Sequence, residues 1–215
     1  MTVLTIVKID ICKSKRYAAN QEKVNPSVRK DALEKLLAVS CACLPGEDKA
    51  YPEGSHYKAE GDAVYYVVEK PTVGLRAAIE FMQSWYHQGL SEYPDCRVLL
   101  DRGPIDEIEA AGKVELTSRA FENLAVMEKL VGDGKVYLTR AVLDSCDQTM
   151  VKFSFFRDFA PIDGEILKVY WADFLDPRTV ADSGLVHALF VAHPSVMRHK
   201  FLNTHGNTLT WQLFL

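Results

Sequence analysis

The stretch YKAEGDAVYYVVE sets Gly61 and Asp62 in a tight turn between two strand-like segments, and the upstream run TIVKIDI ends a strand near Asp10. Glycine opens such a turn, so a carboxylate carried on it can stand beside a carboxylate from a neighbouring strand. Two carboxylates so placed suit a pair of magnesium or manganese ions, hard cations that take oxygen ligands and act on phosphate groups. Metal-assisted chemistry on a phosphate is the first expectation.

The elements that must position these groups follow from periodicity. VLTIVKIDI alternates and is rich in β-branched residues, a strand reading. After Asn25-Pro26, the spacing of Val28, Leu33, Leu36 and Leu37 predicts a helix that Leu44-Pro45-Gly46 stops. The polar run from Glu47 to Ser55 reads as a loop, and two short strands flank Glu60-Gly61-Asp62. Pro71 opens a further helix, with Leu75, Ile79, Met82 and Tyr86 on one side, which Gly89 ends. CRVLLD is a strand, DRGPIDEIEAAGK a turn-rich connection, and VELTSRAFENLAVMEKLV a helix burying Leu116, Phe121, Leu124, Met127 and Leu130.

The strand KVYLT, a short helix AVLDSC, and the strands MVKFSFF and EILKVYWADF complete the order, the last two forming a hairpin around Pro161-Ile162-Asp163-Gly164. Hairpins mixed with crossover helices make an α+β fold, a mixed, largely antiparallel sheet with helices packed on it, closer to a ferredoxin-like arrangement than to a doubly wound sheet. A single domain over residues 1–215 is expected, with its core at about 3–175 and residues 176–215 unassigned.

Composition excludes several classes. The chain has 215 residues, 48% of them hydrophobic, and a formal charge of -4. No basic run exceeds KSKR, so nucleic-acid binding through a broad electrostatic surface is not expected. No apolar run reaches the roughly eighteen residues of a membrane span and no signal peptide is visible, so no membrane partner and a cytoplasmic location are expected. Five cysteines without C-x-x-C spacing read as reduced, mostly buried thiols. His187, His193 and His199 lie six apart, off any shared helix face, and no nucleophile elbow, Walker loop or G-x-G-x-x-G occurs.

Four segments, taken in order, resemble the class III nucleotide cyclase catalytic domain. They are the strand ending in Asp10-Ile11, the turn from Lys58 through Gly61-Asp62 to Ala63, the strand and turn from Arg97 to Gly103-Pro104, and Gly112 through Glu115 to Arg119 at a helix start. The resemblance implies that Asp10 and Asp62, with the backbone carbonyl of Ile11, hold two divalent ions, Mn2+ or Mg2+, for attack of the ribose 3′-hydroxyl on the α-phosphate. Arg119 matches the arginine that stabilises charge on that phosphate, unless it is a surface helix residue. Lys13, Ser14 and Lys15, with Arg16, follow the first aspartate at a helix start, where they either receive the triphosphate or are a solvated charged face.

The sequence also departs from the family pattern. Glu115 stands where an asparagine orients the ribose, an acceptor without an amide donor, and Asn123 is one turn beyond Arg119, out of register. Lys58 matches the base-reading lysine, with Glu109 the nearest acidic candidate for an adenine amine. Lys58 and Arg97 could serve the carbonyls of a pyrimidine and Tyr51 could fill purine space, although Arg97 also reads as a strand anchor and Tyr51 as an ordinary loop residue. Lys168 is a weaker triphosphate candidate.

The stand-alone architecture with a remodelled base pocket resembles the bacterial anti-phage pyrimidine nucleotide cyclases. That implies UTP, or CTP, as the nucleoside triphosphate substrate and a cyclic nucleotide product read by a separate effector. It also implies a homodimer with shared active sites, in which the metal aspartates come from one subunit and Lys58 and Arg119 from the other. A purine cyclase, or a catalytically silent module that binds nucleotide or a partner, are the competing readings.

Overall fold

A computed structural model describes residues 2–21, 27–43, 58–87, 94–110, 113–149, 151–162 and 165–173. Tyr51, the three spaced histidines and residues 176–215 lie outside the described residues.

The chain runs β1 (Thr2–Ile11), α1 (Ser14–Gln21), α2 (Val28–Cys43), β2 (Lys58–Glu60), β3 (Ala63–Val68), α3 (Pro71–His87), β4 (Cys96–Ala110), β5 (Lys113–Thr117), α4 (Arg119–Leu130), β6 (Val136–Thr139), α5 (Arg140–Leu143), β7 (Lys152–Ile162) and β8 (Glu165–Asp173). The main path of the sheet is β2-β3-β1-β4-β6-β8-β7, with β5 paired to β4 off that path. The β4–β6 pairing is parallel and the others are antiparallel, the mixed α+β sheet expected.

Strand β1 is central, between β3 and β4, and is buried on both faces from Leu4 onward. One face, carrying Val7, Ile9 and Ile11, packs against Leu36, Leu75, Phe81, Met82 and Trp85 of α2 and α3. The other face carries Leu4 and Ile6 and meets α4 through Ala120, Leu124 and Met127. Strand alternation then dictates that Lys8 and Asp10 fall on the α4 face. Both are nearly inaccessible, Lys8 5% and Asp10 2% exposed. A charge buried this way costs several kcal/mol unless paired, so their partners must be close.

Two expected elements are corrected. The connection from Asp101 to Lys113 is no loop: β4 continues through Gly103 and Pro104 and then pairs with β5, from Asp106 opposite Thr117 to Ala110 opposite Lys113, as a two-stranded arm. Pro104 is tolerated because β6 covers β4 only over Val98–Leu100, so its missing N–H faces an unpaired edge. The helix expected from Val114 begins only at Arg119, where the Ser118 hydroxyl accepts from the Ala120 N–H at 3.2 Å and caps it. Leu116 is buried, but from a strand. Helices also cover both faces of the sheet, α4 lying opposite α2 and α3.

All five cysteines are free thiols, Cys12, Cys43 and Cys96 buried. No helix among the described residues is long and apolar enough to cross a membrane.

Candidate active site

Register brings the acidic residues together. Asp10 faces Ala63 of β3 on one side and Arg97 of β4 on the other. The residue before Ala63 is Asp62, in the turn where Gly61 adopts φ 62, a left-handed conformation that glycine takes without a Cβ penalty. The Ile11 N–H donates to the Asp62 carbonyl at 3.1 Å and locks this turn to the end of β1. Asp10 and Asp62 thereby line one cleft of about 320 Å³, together with Lys8, Lys58, Tyr65 and Glu128.

Arg97 donates to Asp10 Oδ2 through Nε at 2.8 Å and through an Nη at 2.6 Å. Burial nevertheless dominates and pushes the Asp10 carboxyl up to about 6, with Arg97 opposing it and the Glu128 and Asp62 carboxylates adding to it. Asp10 is thus an under-compensated buried acid, an environment that favours an added cation. Lys8 donates to Glu128 Oε2 at 2.5 Å and lies 5.1 Å from the centre of the Tyr65 ring. Burial opposes its charge, but the hydrogen bonds with Glu128 and Tyr65 leave its pKa raised.

The donor set fits a hard divalent cation. Among the described residues no cluster of three or more histidine, cysteine, aspartate or glutamate side chains is arranged around a metal position. An ion here would rest on the Asp10 and Asp62 carboxylates and the Ile11 carbonyl, completed by water and substrate phosphate. Magnesium is commonly held in this way, by one or two carboxylates plus phosphates.

The remaining candidates fall in several places. Ser14, which opens α1, donates its hydroxyl to Asp62 Oδ2. It lines a second cleft of about 420 Å³ with Lys15 and Asp62. Lys13, in a left-handed turn at φ 56, pairs with Asp133. Lys58 lies over Tyr65 and Phe121, 4.9 and 5.3 Å from the ring centres, and 3.3 Å from Glu60; it rims the cleft of Asp10 and Asp62 in the same protomer, which corrects the expectation that it comes from the other subunit. Arg97, considered for a base carbonyl, is engaged on Asp10. Glu109 and Glu115 are both exposed on the β4–β5 arm, Glu109 opposite Val114 and Glu115 opposite Ile108, so they project from opposite faces. Lys168 is exposed on β8, opposite Asp158.

Arg119 stands apart. It is the first residue of α4, and at about 3.6 residues per turn it lies about half a turn round the helix from Phe121, Ala125 and Glu128. The Asp10 cleft is lined by Phe121, Ala125 and Glu128 of that helix.

Sequence reasoning missed Lys8, Glu128 and Asp101. The buried Asp101 accepts from the Arg102 N–H at 2.8 Å, Asn123 Nδ2 at 2.7 Å and the Thr139 hydroxyl. Burial raises its pKa against those three donors, and the network pins the first turns of α4 to the sheet, so that it positions Arg119. Asn123, out of register for a ribose contact, has this anchoring contact instead. The polar residues of TIVKIDI were the available signal for Lys8, because a charge on a strand buried on both faces needs a partner.

No family model and no curated protein matches the sequence. Solved structures do. An adenylate cyclase from Trypanosoma brucei, solved in its monomeric state, superposes with a TM-score of 0.65 at 16% identity over 82% of this chain and 92% of its own. The guanylate cyclase domain of a Catenaria anguillulae protein in complex with GTP gives 0.64 at 13% identity, over 80% and 96%. A guanylyl cyclase domain from Blastocladiella emersonii, solved as a non-canonical dimer, gives 0.60 at 15% identity, over 80% and 96%. The chain therefore has the fold of class III nucleotide cyclase catalytic domains.

Proposed function

We propose that this protein is a homodimeric, divalent-metal-dependent nucleotide cyclase that converts a nucleoside triphosphate to its 3′,5′-cyclic monophosphate and pyrophosphate. The observation that carries this reading is the convergence of Asp10 and Asp62, from β1 and the β2–β3 turn, on one cleft of a cyclase-type fold. A magnesium or manganese ion held by Asp10 and Asp62 would supply the charge and Lewis acidity that make the ribose 3′-oxygen nucleophilic and pyrophosphate a good leaving group. The bond formed joins O3′ to the α-phosphorus; the bonds broken are that from the α-phosphorus to the bridging oxygen, which leaves with pyrophosphate, and O3′–H, whose proton passes to water.

The protein's own residues hold and orient. Asp10 and Asp62 keep the cleft anionic, Gly61 and the Ile11 N–H fix the turn that carries Asp62, and Ser14 orients the Asp62 carboxylate. Arg119, on the face of α4 opposite Phe121, Ala125 and Glu128, reaches a triphosphate in this cleft from a second protomer, which makes the active unit a dimer with two equivalent sites. A donor of this kind aimed at developing charge is worth about 2.7–4 kcal/mol.

The favoured substrate is UTP. With Arg97 held between Asp10 and Glu128, the base-facing donor in the cleft is Lys58, and its ammonium suits a carbonyl acceptor of uracil. The product would then be cyclic UMP for a separate effector, as in the anti-phage systems that the sequence resembles. The adenylate and guanylate cyclases that share the fold support a purine triphosphate as the second reading. Incubation of the purified protein with Mn2+ and each of the four ribonucleoside triphosphates, followed by mass identification of products, separates these outcomes. Absence of any cyclic product leaves the silent binding module.

A further inference from the structure

We propose that Arg97 is a resident counter-cation which a divalent ion displaces from Asp10, and that Glu128 is the carboxylate that takes its guanidinium over. The pair would then set the metal affinity of the protein. This inference rests on the reading of Asp10 and Asp62 as metal ligands.

The geometry points this way for three reasons. Both donors of Arg97, at 2.8 and 2.6 Å, converge on one oxygen of Asp10, Oδ2, so an ion that requires this oxygen competes with the guanidinium directly. The side chains of Arg97 and Asp10 are only 13% and 3% exposed, so expelling the guanidinium into the protein interior without a new partner would carry a large desolvation cost. A new partner is already in place: Glu128 Oε1 lies 3.7 Å from the same Nη nitrogen, inside ion-pair range and outside hydrogen-bond range. A shift of about 0.8 Å closes that gap to an ordinary N–H···O bond.

The surroundings favour a swing rather than a departure. The other Nη donates to the Val131 carbonyl at 3.4 Å, a tether beside Glu128 that need not break. Lys8 holds the second oxygen of Glu128, Oε2, and leaves Oε1 directed at Arg97. A dication placed at Asp10 repels the guanidinium and draws the Glu128 carboxylate inward, and the two displacements together close the gap between Arg97 and Glu128. Glu128 is thus a positioning residue that acts through Arg97.

The test is a double-mutant cycle on Mn2+ affinity in the nucleotide-free, full-length protein, read from the electron paramagnetic resonance signal of free Mn2+. Arg97→Gln is expected to tighten Mn2+ binding and Glu128→Gln to weaken it. The discriminating quantity is the coupling: Glu128→Gln should weaken binding at least about fivefold more in the wild-type background than in Arg97→Gln, because without the guanidinium there is nothing to receive. If Glu128→Gln weakens binding by the same factor in both backgrounds, Glu128 acts only as a distant charge and the proposal is overturned. Arg97→Lys keeps the charge without the two-donor grip and serves as the second variant should Arg97→Gln not fold. It is expected to show the same coupling at smaller size, and an additive cycle there is equally adverse. An Asp62→Ala control that binds Mn2+ as wild type does would instead remove the metal-site reading beneath the proposal.

Discussion

Removing the Asp10 charge in the metal-free protein should flatten a specific part of the pH–stability profile. Burial, Arg97 and two neighbouring carboxylates act on Asp10 at once, and burial wins: its pKa rises from 3.8 to about 6. At 1.36 kcal/mol per pH unit, ionised Asp10 costs the fold up to about 3 kcal/mol. The folded state holds this proton more tightly than the unfolded chain, so stability is highest at the acid end and falls as pH rises from about 4 to about 6, then levels. Urea unfolding in EDTA across that range, wild type minus Asp10→Asn, isolates Asp10 from Asp101, whose raised pKa gives a slope of the same sign. Saturating Mn2+ should shrink the wild-type slope, and Mn2+ affinity should fall up to about tenfold per pH unit below about 6, one proton competing with one ion. A difference curve that rises with pH would show that the Arg97 ion pair outweighs burial and would refute the reasoning.

Three further substitutions test the scaffold. Gly61→Ala meets no atom within 4 Å, so its cost is backbone strain alone at φ 62, about 1–2 kcal/mol in urea unfolding, with a parallel loss of Mn2+ affinity as the Asp62 turn shifts. Asp101→Asn turns an amide toward the Asn123 amide now donating to Oδ2. It should cost about 1–3 kcal/mol, and the swap Asp101→Asn with Asn123→Asp should recover part of that loss. Ser118→Ala removes the α4 cap and the 2.7 Å hydrogen bond to the Pro104 carbonyl, about 1 kcal/mol by thermal or chemical denaturation.

The sequence spoke clearly where chemistry and period agree. The alternation of TIVKIDI and the glycine turn before Asp62 located both metal-ligand candidates, and the apolar periodicity of α3 marked the helix that fills one core face. It was silent or misleading where tertiary context decides. Gly103-Pro104 normally punctuates a strand, yet here β4 runs through it along an unpaired edge. DEIEA has strand period, with Ile108 and Ala110 on one face and Glu107 and Glu109 on the other, but it is short and follows Gly103-Pro104, and Ile108 is 51% exposed, so no buried face marks it as a strand. Ser118 carried the capping signal that separates β5 from α4, and the apolar spacing of VELTSRAF masked it. The pairing of Lys8 with Glu128 and of Arg97 with Asp10 joins residues 120 and 87 positions apart, which no local pattern encodes.

The central claim is tested most directly by mixing two inactive proteins. Asp62→Ala lacks a metal ligand and Arg119→Ala lacks the arginine that the symmetry mate supplies, so each homodimer should be inactive in both sites. Exchanged subunits combine at random, and half the dimers then carry one intact site of two, so the equimolar mixture should regain about a quarter of the wild-type rate of cyclic nucleotide formation with Mn2+. A mixture no more active than its parents, with wild type active and subunit exchange confirmed, would contradict a shared site built from Asp10 and Asp62 of one protomer and Arg119 of the other.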